Sequence, residues 1–191
     1  MTYGRGSIRA LKFSPSGSYI LTAKTDYTVS LWAVGLTNND QRMIRTFQGH
    51  TAEVNDVAWL DDQVFASCGN DKKIFVYRAN DSRSRYTFNG HTDDITRIKW
   101  SPKKAGQAVE KRMLASASDD GTVRIWVLPD YPKDMGSASR SASPMKPRME
   151  DEEGLDLGKN KALRVLEVVK ESENKRMDMV EWAPSGEIIA A

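Results

Sequence analysis

A histidine, a serine and an aspartate stand in this 191-residue chain at a spacing that could support chemistry. They are His91, Ser116 and Asp120, and a tryptophan, Trp126, follows them. These residue types could carry out acyl transfer if the serine were exposed beside an oxyanion hole. They could equally form a buried chain of hydrogen bonds, in which the carboxylate orients the imidazole, the hydroxyl relays and the indole N–H donates.

Repetition of the same residue types favours the structural interpretation. An upstream set consists of His50, Ser67 and Asp71, with Tyr77 where the tryptophan would stand. A still earlier set lacks the histidine and consists of Thr22, Asp26 and Trp32. The chain has no G-x-S-x-G elbow around a serine. We therefore predict a structural hydrogen-bond network that weakens from the third set to the first, and no catalytic residues.

Composition and charge narrow the class of protein. The chain has 28 Lys and Arg against 26 Asp and Glu, a net charge of +2, which gives no overall field towards nucleic acid or an anionic membrane. Cys68 is the only cysteine, and two histidines make no metal cluster with it. A glycine-rich phosphate loop and a long apolar segment are also missing from the sequence. We predict no cofactor, no metal and a reducing compartment, either nucleus or cytoplasm.

The elements that must position these residues are repeated β-strands. Four apolar runs end in register at Phe13, Trp59, Trp100 and Trp182, which are 46, 41 and 82 residues apart. Each unit continues with further short runs of branched and aromatic residues, separated by an aspartate turn, which is typical of strands. Four strands in a unit of about 40–45 residues resemble a blade of the WD-repeat β-propeller superfamily.

This resemblance predicts an all-β, WD-repeat β-propeller fold with about three and a half four-stranded antiparallel blades. We place the blades at residues 8–47, 54–88 and 95–169, with a partial blade at 177–191. Because propellers close into rings and so protect their strand edges, we expect these blades to be part of a larger ring. Pairing of two half-rings is the alternative.

The wide interval before Trp182 contains an insertion at residues 129–160, rich in serine, proline and charged residues. This composition cannot bury enough apolar area to form a core, so we predict a disordered loop. Ser139, Ser141 and Ser143 are candidate phosphorylation sites, although an unmodified spacer explains the segment equally well. The loop connects a third strand to a fourth, so it leaves the disc on the face opposite the Gly-His and Asp turns.

The face of the disc that carries the Gly-His pairs and the Asp turns, which we call the Asp-turn face, is free of this loop. It is therefore the better surface for a partner. Side chains at the ends of the first strands, and those just before each turn aspartate, should point towards it. The candidate partner-binding residues are Arg9, Thr25, Glu53, Asn55, Asn70, Asp94, Thr96 and Asp119. Each of them could instead be a solvated loop residue. As a set, the acidic members indicate a basic, histone-like partner segment.

A narrower resemblance rests on the second unit, VNDVAW-LDDQV-FASCGNDKKIFVY, and its flanks ILTAKTDYTVSLW and FNGHTDDITRIKW. These stretches are similar to the transducin-β-like corepressor subunits. The resemblance implies a nuclear, non-catalytic scaffold within a histone-deacetylase corepressor complex. The alternative is a WD-repeat adaptor of another complex, such as a ubiquitin-ligase substrate receptor. The WDxR pattern usual in cullin-linked receptors is not found, since the third strands end in LWAV, VYRA and IWVL.

Overall fold

The computed structural model describes residues 6–35, 42–102, 112–128, 164–167, 180–182 and 188–190. All regular structure in these residues is β-strand, which confirms the predicted all-β fold class. The first sheet contains β1 (Ile8–Phe13), β2 (Tyr19–Lys24), β3 (Val29–Ala33) and β4 (Arg42–Phe47). The second contains β5 (Val54–Asp61), β6 (Val64–Gly69), β7 (Lys73–Arg78) and β8 (Ser84–Asn89).

The third sheet repeats this arrangement, and a fourth sheet begins after it. The third contains β9 (Ile95–Trp100), β10 (Met113–Ser118), β11 (Thr122–Val127) and β12 (Arg164–Glu167). The fourth consists of β13 (Val180–Trp182) and β14 (Ile188–Ala190). Neighbouring strands are antiparallel, and in every sheet the spatial order follows the sequence order. The predicted loop at 129–160, with Ser139, Ser141 and Ser143, lies outside the described residues.

Small residues explain why the second strands are the most buried. Each side chain of β6 is buried, including Ala66 and Cys68, and Ala115 and Ala117 of β10 are 0% exposed. A strand covered on both faces must be apolar or hydrogen-bonded on both sides. The second strands therefore form the tightly packed middle of each sheet.

Hydrophobic cores lie between consecutive sheets. Leu21, Leu31 and Phe47 of the first sheet pack against Val57 and Phe65 of the second. A second cluster joins the second and third sheets, and a third joins the third sheet to Val180 of β13. The first strands lie side by side, since β1 contacts β5, β5 contacts β9 and β9 contacts β13. The sheets thus pack face to face around their first strands.

A repeated tryptophan bond ties each first strand to the preceding one. The indole N–H of Trp59 donates to the carbonyl of Lys12 at 3.2 Å, and that of Trp100 donates to Ala58 at 3.1 Å. Trp182 donates to Lys99 at 2.9 Å. In each case the acceptor is the residue before the position equivalent to the tryptophan. This bond gives a physical reason for the tryptophan spacing in the sequence.

The first sheet differs from the others on its inner strand. Ile8 and Leu11 are 58% and 48% exposed, whereas the equivalent Val54 and Val57 are 0% exposed. Val54 and Val57 are covered by the first sheet, and the described residues place no sheet in front of β1. The difference in exposure therefore reflects position in the row of sheets and not a difference in residue type.

The turns between second and third strands require a left-handed residue. Tyr27, Lys72 and Gly121 follow the turn aspartates and have φ values of 70°, 63° and 79°. Only glycine adopts this conformation without steric cost, so the first two turns are strained.

Replacing Tyr27 with glycine is expected to raise the free energy of unfolding by about 0.5–1 kcal/mol, because relief of the strain exceeds the added chain entropy. Tyr27 is 48% exposed, so little packing is lost. Chemical denaturation of the chain measures the change. Tyr27→Ala removes the ring but keeps the strain, and equal stability of the two variants would contradict the argument.

Candidate functional site

The third sheet brings the four predicted network residues into one chain of hydrogen bonds. His91 precedes β9, Ser116 lies in β10, Asp120 lies in the following turn and Trp126 lies in β11. The His91 Nδ1 atom is 2.8 Å from Asp120 Oδ2, and Nε2 is 2.7 Å from Ser116 Oγ. The Trp126 indole N–H donates to Ser116 Oγ at 2.8 Å. The backbone N–H of Thr92 also donates to Asp120 Oδ2, at 3.0 Å.

Protonation of this chain follows from its geometry. Burial lowers the pKa of His91, and this outweighs the opposite effect of Asp120. Burial would raise the pKa of Asp120, but hydrogen bonds from Thr122, Thr92 and His91 lower it to about 2. A neutral His91 then donates from Nδ1 to the carboxylate and accepts the Ser116 hydroxyl proton at Nε2. Each polar group of this four-residue hydrogen-bond network has a partner in this arrangement.

Burial determines what this constellation can do chemically. Ser116 is 0% exposed and His91 is 6% exposed. A nucleophilic serine must reach its substrate, and this hydroxyl is enclosed and already holds the indole N–H. The arrangement instead connects the loop before β9 to β10, β11 and the Asp turn.

The second sheet forms the same contacts without the indole. His50 Nδ1 lies 2.8 Å from Asp71 Oδ2, and Nε2 lies 2.8 Å from Ser67 Oγ. Burial alone would raise the pKa of Asp71, but the hydrogen bond from His50 contributes to lowering it. The Tyr77 hydroxyl donates elsewhere, to the carbonyl of Gln48 at 3.3 Å. Tyr77 therefore does not substitute for the tryptophan at Ser67.

The first sheet retains two separate parts of the network. The Trp32 indole N–H donates to Thr22 Oγ1 at 3.2 Å. The Asp26 Oδ1 atom accepts the Thr28 hydroxyl at 2.6 Å and its backbone N–H at 3.2 Å. No histidine joins Thr22 to Asp26 in the described residues. The number of linked members falls from four in the third sheet to three in the second and two in the first.

The predicted partner-binding residues lie mostly around one cavity on the Asp-turn face. This cavity has a volume of about 270 Å³, and we call it the face cavity. It is lined by Arg9, Asn55, Asn70, Asp94, Thr96, Arg97 and Asp119. Six of the eight predicted residues are among these. The other two lie outside the lining: Glu53 forms an ion pair with Arg9, and Thr25 accepts the Ser7 N–H at 2.9 Å.

Hydrogen bonds hold the floor of the face cavity. The Asn55 side-chain N–H donates to Asn70 Oδ1 at 2.5 Å and to the Ile95 carbonyl at 3.0 Å. Thr96 donates to the Ala117 carbonyl at 3.3 Å. The Asn55–Ile95 bond joins the second and third sheets at the cavity, whereas the other two bonds each lie within one sheet.

Charge in the face cavity is mixed. Burial raises the pKa of Asp94, and the neighbouring carboxylates of Asp93 and Asp119 raise it further. Arg97, which sequence reasoning missed, brings an exposed guanidinium to the same cavity. The register between β9 and β10 shifts at a bulge beside Ala117. A prediction based on simple two-residue alternation along β9 does not reveal this bulge, and Arg97 was therefore not predicted at the cavity.

A second cavity, of about 400 Å³, lies between the first strands. Its charged lining residues are Lys12, Asp56, Arg97, Lys99 and Glu181. The carboxylate of Asp56 is 3% exposed and accepts backbone N–H groups from Val57 at 2.9 Å and Ile98 at 3.2 Å. Burial raises the pKa of Asp56. Asp56, a second residue that the repeat pattern did not reveal, therefore connects β5 to β9.

The described ranges show neither a metal cluster nor a membrane-spanning helix. No group of three or more histidine, cysteine, aspartate or glutamate residues there is arranged to hold a metal ion. The same residues contain no helix that could cross a bilayer. Cys68 is buried and is not in a disulfide.

Comparison with known proteins agrees with the geometry. The family model "WD domain, G-beta repeat" matches residues 2–33, 41–78 and 82–127, more than half of the chain. Protein hir1 of Schizosaccharomyces pombe is 25% identical over 146 residues, which cover 69% of this chain and 15% of that protein. The human F-box-like/WD repeat-containing protein TBL1X is 38% identical over 74 residues, covering 39% of this chain and 12% of TBL1X.

A solved structure shares the fold. The WD40 β-propeller domain of Doa1 superposes with a TM-score of 0.67 at 23% identity, covering 99% of this chain and 49% of the Doa1 chain. The chain thus spans about half of that propeller and less than a sixth of hir1 and TBL1X. The chain therefore belongs to the WD-domain, G-beta-repeat family and shares the fold of a β-propeller.

Proposed function

We propose that the chain is a non-catalytic scaffold subunit of a nuclear transcriptional corepressor complex that contains a histone deacetylase. The choice of complex rests on the resemblance of the second unit to the transducin-β-like corepressor subunits, and the 38% identity to TBL1X over 74 residues agrees with that resemblance. The observation that carries the docking mechanism is the face cavity, a polar recess lined by residues from the first, second and third sheets. We place the candidate partner-binding surface there.

The chemistry of the face cavity favours a peptide segment with a basic side chain. Burial raises the pKa of Asp94, and the charge of nearby Asp119 raises it further, so these two carboxylates repel each other in the cavity. A lysine or arginine placed between them would relieve this repulsion. Asn55, Asn70 and Thr96 supply amide and hydroxyl groups that can pair with a peptide backbone. Arg97 limits the number of positive charges that the cavity accepts, so one basic residue is favoured over a polybasic run.

Affinity purification of the full-length natural protein from nuclear extract tests both parts of this proposal. The wild-type protein should recover a histone deacetylase. Asp94→Lys places a positive charge in the face cavity and should reduce that recovery by at least about tenfold, equivalent to about 1.4 kcal/mol. Gln63→Lys is the control, because Gln63 is exposed in the β5–β6 turn at the opposite ends of the strands.

The outcomes separate the complex from the surface. Reproducible absence of a histone deacetylase from the wild-type purification would rule out the corepressor assignment, and recovery of a ubiquitin ligase would favour the adaptor alternative. If Asp94→Lys and Gln63→Lys recover as much deacetylase as the wild type, the complex is correct but the face cavity is not the docking surface. A cytoplasmic location of the full-length protein would contradict the nuclear assignment.

A further inference from the structure

The face cavity and the second cavity adjoin along the first strands. Arg97 lines both of them, with Asp94 on the side of the face cavity and Lys99 on the side of the second cavity. Lys12 of β1 and Glu181 of β13 also line the second cavity. The two cavities therefore form one recess that follows β9 from the Asp-turn face towards the opposite face.

The acidic groups of the second cavity already have partners within the protein. Asp56 is buried, and its two oxygen atoms accept the backbone N–H groups of Val57 and Ile98. The Glu181 Oε1 atom accepts a hydrogen bond from Lys99 Nζ at 2.6 Å. Neither carboxylate is therefore left to bind a basic ligand.

The basic groups of the second cavity are less fully engaged. Lys12 is exposed, and no ion pair among the described residues includes it. Arg97 is also exposed and donates to the Thr96 carbonyl at 2.9 Å. Burial raises the pKa of Asp56, and the N–H of Ile98 and the charges of Lys12 and Arg97 oppose that rise, so both cations lie near this carboxylate. With Lys99, the lining carries three cations against two carboxylates.

Aromatic rings border the cations of the second cavity. Phe13 is 58% exposed and Trp59 is half-buried, and both line this cavity. The Trp59 indole N–H donates to the Lys12 carbonyl, which places the indole beside that lysine. Apolar rings lower the local dielectric constant, so an ion pair formed beside them is stronger than one in open water. This end of the recess is therefore suited to an acidic side chain.

We propose that one extended partner segment occupies both cavities, with a basic side chain between Asp94 and Asp119 and an acidic side chain beside Lys12. This inference rests on the docking proposed at the face cavity and adds the charge pattern of the partner. It assigns the second cavity as the binding site for the acidic residue.

The length of β9 sets the spacing of the two charges. Lys12 stands one residue before Phe13, as Lys99 stands one residue before Trp100, so the two lysines occupy equivalent positions in β1 and β9. Asp94 and Lys99 are five positions apart. Five extended residues span about 17 Å, so an extended peptide along the recess carries its basic and acidic residues about five positions apart.

The test uses the complete 191-residue chain and the blocked hexapeptide acetyl-Lys-Ser-Ser-Ser-Ser-Glu-amide, together with the peptide of reversed order. Two NMR signals report on the two cavities: the side-chain amide of Asn55 on the face cavity and the indole N–H of Trp59 on the second. We expect one of the two peptides to shift both signals with the same dissociation constant. Acetyl-Lys-Ser-Ser-Ser-Ser-Gln-amide lacks the carboxylate, so it should bind about fivefold more weakly and leave the Trp59 signal unchanged.

A pair of lysine variants connects the Trp59 response to the second cavity. Lys12→Ala removes the exposed cation, so affinity for the Lys–Glu peptide should fall about fivefold and the Trp59 shift should be lost, while the Asn55 shift remains. Lys73→Ala is the matched control, because Lys73 is an exposed lysine of β7 that lines neither cavity. It should bind the peptide as the wild type does.

The two signals separate this inference from the docking on which it rests. If the peptides shift Asn55 but not Trp59, or if the glutamine peptide binds equally well, the acidic subsite is ruled out and docking at the face cavity stands. Equal weakening by Lys12→Ala and Lys73→Ala would also overturn the inference, because overall charge would then explain the effect. If no peptide shifts Asn55, the face cavity is not the docking surface, and both proposals about the recess fail.

Discussion

Replacing Trp126 with alanine is expected to lower the free energy of unfolding by about 3–5 kcal/mol. Trp126 is 1% exposed and stacks on Phe88 with ring centroids 5.2 Å apart. Removing the indole would leave a cavity between the second and third sheets, and Ser116 would lose the N–H that it accepts. Denaturant-induced unfolding followed by circular dichroism measures the loss.

Two further variants help to interpret this loss of stability: one separates packing from hydrogen bonding, and the other is a control at an exposed ring. Trp126→Phe keeps a ring beside Phe88 but removes the N–H, so it should cost less than the alanine variant. Phe13→Ala removes an aromatic ring that is 58% exposed, and its effect should stay within about 0.5 kcal/mol. If Trp126→Ala were no more destabilising than Phe13→Ala, the third sheet would not be packed as described.

Asp120→Ala is expected to destabilise the chain by about 1–3 kcal/mol at neutral pH, because buried His91 loses the acceptor for its Nδ1–H. The N–H groups of Thr92 and Thr122 also lose an acceptor. Thermal unfolding at pH 7 measures this cost. An unchanged Tm would show that the predicted buried network does not contribute to stability.

The same variant has a pH signature with a definite sign. Asp120 has a folded-state pKa of about 2, below its ordinary value of 3.8. Its stabilising contribution is therefore complete above about pH 4 and disappears as the pH falls through about 2. The stability difference between wild type and Asp120→Ala should shrink over this interval. A difference that stayed constant down to about pH 2 would mean that the carboxylate charge is not responsible.

Local sequence patterns were sufficient to predict the strands of this protein and the type of fold. Alternating apolar residues ending in an aromatic residue mark β1, β5 and β9, and an aspartate turn precedes β3, β7 and β11. Each sheet is built from strands adjacent in sequence, and apart from the long β11–β12 connection these strands are joined by short segments that a repeat makes visible. The family match supports the same fold.

Contacts between sheets were harder to predict. The sequence indicated that the tryptophans were in register, but not that Trp59 and Trp100 bond to the preceding first strand. Asp56 looked like one more polar residue on a half-exposed strand, yet its carboxylate binds the N–H of Ile98 in the next sheet. All three contacts join residues more than 40 positions apart, at a distance set by how one sheet packs against another.

The third-sheet network shows what the sequence determines and what only the tertiary structure decides. Its members are His91, Ser116, Asp120 and Trp126. Their types and spacing by themselves placed His91 before a first strand, Ser116 in a second strand, Asp120 in the following turn and Trp126 in a third strand, since a blade is a local unit of sequence. Their repetition in the second unit also favoured a buried network over a nucleophilic serine. Only the tertiary structure decided how the network is enclosed, because packing of the second sheet against the third buries Ser116 and leaves its hydroxyl bonded to an imidazole and an indole.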